Sequence, residues 1–395
     1  MIRSSFYLLS LSLLCQASQV LATPPGNLHG FAQQSALYSD DNDFIGNSDD
    51  NIATDIRDFG LNYHQRFSDS FSFAGQIVSH EAGEQTSNNI ELDYGFIEYS
   101  PLQKDNIRAS ARLGRVIQSY GLFNDVRDVA HLRPTVFVPY SIYYDRLRKS
   151  VFAEDGASFK LELIEPASVW TSEIGIAKPR SDKNEIRAFL PSQLLSGSGD
   201  GKNAYFFRIA NESALDYRVA LSGIYLSWDY QGDFVIPTGP SSSIAIPVDG
   251  SMAASSFGVS LEKTFGSFNL ISEIFRPQVE YLDIVPDINP NTLQINGTQK
   301  IRSQQLAGYL HMNYACSITI TCFTQYEYFK IISKDEDLTN ATTRDIAAGI
   351  RIFLPYNLQF KIEVHEVNGS AWLGLDRDDA VQKWHYYASQ INWTF

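Results

Sequence analysis

Acid–base or metal chemistry in this chain would have to be built from seven histidines, at 29, 64, 80, 131, 311, 365 and 385. None stands at the short spacing from another that a metal site uses. Ser196-Gly197-Ser198-Gly199-Asp200-Gly201 is glycine-rich, but no Lys-Ser follows to hold a phosphate. A Gly-x-Ser-x-Gly nucleophile elbow is absent. The constellation that remains is one of charge. Between residues 119 and 156 stand Arg127, Arg133, Arg146, Arg148 and Lys149, against Asp125, Asp128, Asp145, Glu154 and Asp155. Fixed charges of both signs can steer small ions where a water path narrows, because low-dielectric walls focus their field. They can equally pair with one another and brace the loop that carries them. No catalytic residue, metal or cofactor is expected from these patterns.

The elements that would position such charges begin after a leader. Met1–Ala22 has one positive charge, Arg3, then the apolar run Phe6-Tyr7-Leu8-Leu9-Ser10-Leu11-Ser12-Leu13-Leu14, and it ends in Val20-Leu21-Ala22. The run is too short to span a bilayer, so residues 1–22 are expected to be a cleaved signal peptide and 23–395 a single exported domain. Beyond Ala22 no apolar stretch reaches the ~18 residues of a membrane helix. The chain nevertheless carries 25 Phe, 21 Tyr and 5 Trp. An exported chain with no apolar helix and many strand-forming aromatics is a large secreted β protein or a membrane barrel. The formal charge of -14 excludes the basic face that a nucleic-acid partner needs. The acidic run between Ser39 and Asp50 suits a solvated loop, or cation bridging at a lipopolysaccharide surface. Cys316 and Cys322 remain after cleavage. Along a straight strand six residues span ~20 Å, too far for a disulfide. Across a hairpin turn the two could face each other and join in an oxidising compartment.

Period-two alternation recurs along the mature chain. Phe59, Leu61 and Tyr63 interleave with Asp58, Gly60, Asn62 and His64; Leu358, Phe360, Ile362 and Val364 interleave with Gln359, Lys361, Glu363 and His365. Such strands have one apolar and one polar face. The segmentation predicts 16 strands, an even number, and short connectors alternating with long ones at 39–53, 119–156, 179–202, 231–255, 283–302 and 368–382. That rhythm is expected of an antiparallel transmembrane β-barrel with short turns at one end and long outer loops at the other. In the fifth strand, apolar Ile107, Ala109, Ala111 and Leu113 would face lipid, turning Arg108 and Arg112 into the lumen. The same parity turns Arg208, Arg218, Arg351 and Lys361 inward, with Asp58, Glu91, Asp93, Glu262 and Glu363. Tyr387, Ser389, Ile391, Trp393 and Phe395 share a face of the last strand, which ends on Phe395.

The terminal aromatic is similar to the signal that outer-membrane assembly machinery recognises. Arg112-Leu113-Gly114-Arg115, Tyr120 to Asp128, Arg133-Pro134 and Pro139 to Arg146 resemble the stretch after the fifth strand in Gram-negative porins of the phosphate-selective and related substrate-specific type. Gly369-Ser370-Ala371-Trp372-Leu373 and Trp384 resemble the closing segment of such barrels. The resemblance implies a bacterial outer-membrane porin whose third outer loop folds into the lumen. It would pass small hydrophilic solutes by passive diffusion, with a lean toward anions, and assemble as a homotrimer in lipid and lipopolysaccharide. Its constriction would hold Arg112, Asp125, Arg127, Asp128, Arg133, Tyr140, Arg146 and Arg148. Outer-membrane phospholipases offer an enzymatic comparison through His365-Glu366-Val367-Asn368-Gly369. Val367 stands where their nucleophilic serine would be, so that chemistry fails. A third alternative is a plugged or adhesive barrel, using the mildly apolar segment 234–257 to bind a partner.

Overall fold

The structure, a computed structural model, describes residues 26–83, 89–143, 148–180, 194, 197–239, 242–288, 295–333, 342–371, 373 and 380–395. The expected signal peptide and Arg146 lie outside the described residues. The chain forms sixteen strands: β1 Gly26–Ser39, β2 Ile52–Arg66, β3 Phe71–Ala82, β4 Ile90–Lys104, β5 Ile107–Ile117, β6 Ala153–Glu165, β7 Ser168–Lys178 and β8 Ser198–Ser213. They continue as β9 Tyr217–Gly239, β10 Ser242–Phe265, β11, β12 Ile295–Ala315, β13 Ile320–Ser333, β14 Thr342–Leu354, β15 Leu358–Asn368 and β16 Lys383–Thr394. β11 has two halves, Phe268–Phe275 and Gln278–Ile288, both pairing with β10 and β12. The break falls at Pro277, which has no N–H to give the ladder.

Each strand pairs antiparallel with its sequence neighbours, and β1 pairs with β16 from Phe31↔Thr394 to Ser39↔Tyr386. The ring is therefore closed, which leaves no strand edge around it. Gly30 and Phe395 exchange backbone hydrogen bonds of 2.9 and 3.0 Å, so the last residue completes the seam. The Phe395 ring occupies the space that a Cβ at residue 30 would need, which fixes glycine there.

The two faces of the wall are inverted relative to a soluble sheet. Leu113 is 70% exposed and Ile274 60%, on the outward face, while the inward Glu273 and Asp345 are at most 1% exposed. No second sheet covers the apolar face, so lipid is the solvent it fits. At the end with short turns, aromatics contact one another on that face: Phe71 and Tyr99 at 4.8 Å, Phe268 and Tyr314 at 4.8 Å, Trp393 and Phe395 at 4.7 Å. This is the interfacial girdle of a membrane barrel. The three-residue turn between β14 and β15 places Tyr356 and Asn357 at φ 63° and 58°, with Leu358 N–H donating to Pro355 O at 3.4 Å.

Three expected boundaries are corrected. The connectors read at 231–255 and 283–302 are largely strand, because β9–β12 continue past the apolar belt. Ile236 still pairs with Ile244 and Phe234 with Ile246. The prolines that suggested a loop, Pro237 and Pro247, lie where β9 and β10 pair only with each other, and an edge strand tolerates proline. β6 starts at Ala153, four residues earlier than alternation suggested, directly after the one-turn helix Arg148–Phe152.

Candidate functional site

Between β5 and β6 the chain leaves the wall and crosses the inside of the ring. Its described parts are 118–143 and 148–152, with 3₁₀ turns at Asn124–Val126 and Ala130–Leu132. Its stem is tied by the Asn124 side-chain amide, which donates to Gln118 O at 2.9 Å and Val151 O at 2.8 Å. Further contacts come from within the segment and from inward-facing side chains of distant strands.

One anchor is Glu273 on β11. It accepts Leu122 N–H at 2.9 Å, Tyr143 O–H at 2.6 Å, Ser260 O–H at 2.5 Å and Tyr309 O–H at 2.7 Å. Tyr143 in turn accepts the N–H groups of Leu122 and Phe123 at 2.8 and 3.0 Å. Burial, then the charge of Glu273 beside it, pushes the Tyr143 phenol well above its ordinary range, so it stays a donor. Gly121 adopts φ +61° there and donates to Ser222 Oγ at 2.9 Å.

A second anchor lies across the lumen. The ammonium of Lys361, on β15, donates to the carbonyls of Ala130, Arg133 and Thr135 at 2.7, 2.9 and 2.8 Å. Glu363 accepts Val136 N–H at 2.9 Å, and Glu327 accepts Ser141 N–H at 2.8 Å. Between the two anchors, Arg148 grips both oxygens of Asp128 at 2.9 and 2.7 Å and reaches Asp93 on β4 at 2.7 Å. Burial pushes the Asp128 carboxyl upward, but Arg148 outweighs it and holds the group below the usual carboxylate range.

These contacts place the expected constriction residues. Arg127 is buried and donates to Tyr143 O at 3.2 Å. Arg133 is buried against Gln33 and lies 4.0 Å from Asp58. Tyr140 packs on Phe44 at 5.0 Å, inside an aromatic group with Trp384 and Tyr386. Asp128, Arg133, Tyr140 and Arg148 thus attach the segment to the rest of the barrel, and Arg127 ties it to itself, rather than stand free in water. Arg112 and Asp125 have more access: Arg112 donates to Glu98 at 2.7 Å, and Asp125 lies 3.5 Å from Arg208. Of the other residues expected to face the lumen, three are placed by their contacts. Arg218 pairs with Glu262 at 2.7 Å, Arg351 lies over the Phe353 ring, and Lys361 is wholly covered by the inserted segment. Cys316 and Cys322 are joined across the turn between β12 and β13, with Cα atoms 5.9 Å apart.

Sequence reasoning missed Glu273 and Glu327 as anchors. Their faces also carry Ile271, Phe275, Phe323 and Phe329, so alternation did not mark them as polar. The water-accessible part of the interior includes a recess of about 420 Å³ on the wall of β4–β6, lined by Glu98, Arg108, Arg112, Lys160 and Glu162 among others. A bulge that shifts the β4–β5 register between Tyr99 and Leu102 shapes it. Lys160 pairs with Glu162 at 2.6 Å, while Arg108 has no carboxylate within 4 Å among the described residues.

Solved structures share the barrel fold. OmpT of Vibrio cholerae superposes with a TM-score of 0.58 at 11% identity, over 95% of this chain and 99% of its own. The outer-membrane channel DcaP of Acinetobacter baumannii gives 0.57 at 11% identity, over 94% and 97%. The chain has the fold of an outer-membrane porin. An anion-selective porin from Comamonas acidovorans also matches, with a TM-score of 0.54 at 10% identity, over 94% of this chain and 99% of its own. No protein-family model and no curated protein sequence matches the chain. At these identities the likeness concerns the barrel, and the inserted segment's anchors are features of this sequence.

Proposed function

We propose that this porin-fold barrel sits in a bacterial outer membrane, reached through the signal peptide 1–22, and passes small hydrophilic solutes by passive diffusion. The observation that carries the reading is the polar recess of about 420 Å³ on the wall of β4–β6, inside a sixteen-stranded ring with an apolar outer face. A lean toward anions is supported by the recess lining. Lys104, Arg108, Arg112 and Lys160 stand against Glu98, Asp105 and Glu162, and among the described residues Lys104 and Arg108 have no ion pair. Homotrimeric assembly in lipid and lipopolysaccharide belongs to the same proposal, as does a role in transport rather than catalysis.

The test is single-channel current of the refolded protein in a planar bilayer with a salt gradient. Stable steps with an anion-signed reversal potential are expected, and Arg108→Ala should move that potential toward cations while Arg133→Ala leaves its sign unchanged. A cation-signed potential would remove the anion preference. The close packing of Phe44, Tyr140, Trp384 and Tyr386 on the inserted segment favours a second reading, a barrel plugged by that segment. A folded barrel that passes no current would select it.

A further inference from the structure

Among the described residues of the outward face, cations stand near carboxylates of the next strand at four places. Arg57 pairs with Glu81 at 2.5 Å, Arg115 with Asp155 at 2.8 Å, Lys202 with Asp229 at 3.0 Å, and Lys300 and Arg302 with Glu280. The wall of β13–β16 differs. Arg344, Asn368 and Lys383 are consecutive members of one register row across β14, β15 and β16. Lys330 on β13 pairs with Thr342, two residues further along β14 toward the end with long connectors.

All four share the outward face with Ile346, Val364 and Tyr387, which lie toward the apolar belt and are 57, 41 and 51% exposed. Among the described residues no carboxylate lies within 4 Å of Lys330, Arg344 or Lys383. Glu366 is the acid in the next row, opposite Ile346 and His385, and His385 is itself engaged by Asp40 at 2.8 Å. Among the described residues, three cations stand against one uncommitted carboxylate here, on a chain whose formal charge is -14.

We propose that the row Arg344–Asn368–Lys383, with Lys330 above it, binds the phosphorylated headgroup of a membrane lipid whose acyl chains lie down the belt of Ile346, Val364 and Tyr387. Neighbouring strands are ~4.8 Å apart, so the backbones of Arg344 and Lys383 stand about 10 Å apart. Both long side chains can converge on one phosphate, with the Asn368 amide between them. The guanidinium offers a two-pronged contact and the ammonium a compact charge. An acidic protein would otherwise repel an anionic lipid surface, and this is the place where contact is electrostatically favoured. The inference rests on the outward face meeting lipid and is independent of any current through the lumen.

The test is native mass spectrometry of the detergent-solubilised barrel with bis-phosphorylated lipid A, against the same lipid without phosphates. The wild type should retain one phosphorylated lipid and release the other form. Arg344→Ala/Lys383→Ala should weaken retention by at least about tenfold, the loss of one charged contact. Lys202→Ala, on β8 across the ring, should retain it as the wild type does. Both substituted side chains are exposed, and an unshifted melting temperature of the double variant identifies lost retention as a binding effect. Equal retention by the double variant, or by the dephosphorylated lipid, overturns the site. So does a double variant that retains lipid but changes oligomeric state, because the wall is then a contact with a second copy of the chain. A wild-type barrel that retains lipid A but carries no current overturns the pore reading alone.

Discussion

Lys361→Met removes an ammonium that is wholly buried and replaces it with an uncharged side chain of similar length. Three carbonyls of the inserted segment lose their donor: Ala130, Arg133 and Thr135. Each hydrogen bond from a charged donor contributes roughly 1.5–3 kcal/mol. Against this, the cost of burying the ammonium, several kcal/mol, is recovered. The net loss should fall near about 3 kcal/mol, the lower end for removing one partner from a buried charged contact. At about 1.4 kcal/mol per decade, local opening of residues 130–136 becomes about a hundredfold more frequent. The ladders of β14, β15 and β16 do not use this side chain, so the barrel itself should remain. Hydrogen exchange read by mass spectrometry checks the outcome. Amides of 130–136 should exchange about a hundredfold faster, while 121–123, held by Glu273 and Tyr143, keep their protection. Uniform acceleration, or none, would refute the assignment of Lys361 as a separate anchor.

Glu273→Gln should give the complementary pattern. It weakens four charged hydrogen bonds, each contributing about 1.5–3 kcal/mol, so 121–123 should exchange at least about tenfold faster while 130–136 stay protected. The disulfide between Cys316 and Cys322 predicts an unchanged mass after alkylation without reductant. Reduction should cost only about 2 kcal/mol for so short a loop and leave channel current unchanged. For His131, burial and then the charges of Lys361 and Arg351 hold the imidazole below its ordinary pKa. A depressed folded value means the contribution is complete above about pH 6.5, the unfolded value, and is lost as pH falls through the folded one. Protection of 130–136 should therefore decline on acidification below about pH 6.5, and His131→Gln should remove that dependence.

Alternation showed the wall because it is a local property. Which face of Phe59-Gly60-Leu61 meets lipid follows from neighbours two residues away, and the alternating connector lengths gave the number of strands. The long reach of β9 and β10 was hidden because Pro237 and Pro247 read as turn signals in any context, while their place on a free edge follows from where β8 and β11 end. The anchors were hidden more deeply. Lys361 lies 231 residues from Ala130 in sequence, and nothing in a strand reading Gln359-Phe360-Lys361-Ile362 separates a cation facing water from one covered by a loop. Glu273 stood on a face shared with Ile271 and Phe275, so even its direction was ambiguous.

The balance of charge in the inserted segment bears directly on its role. A neck that selects by sign needs one sign in excess at the water path, whereas a segment buried among polar side chains must pair every charge it carries. Between 119 and 156 the signs are equal, and the described arginines 127, 133 and 148 are indeed buried, with Arg148 answered by Asp93 and Asp128. Removing one member of such a set leaves its partner charged and dry, which is far more costly than losing a solvated pair. Substitutions at Arg133 or Arg148 should therefore act on the position of the segment, and only through it on the path. Substitution of Arg108, which has no ion pair among the described residues in a recess of about 420 Å³, should change the potential without moving the backbone. Under the proposed function, selectivity and loop attachment would fall to different arginines, residues of the same type that alternation alone treats alike.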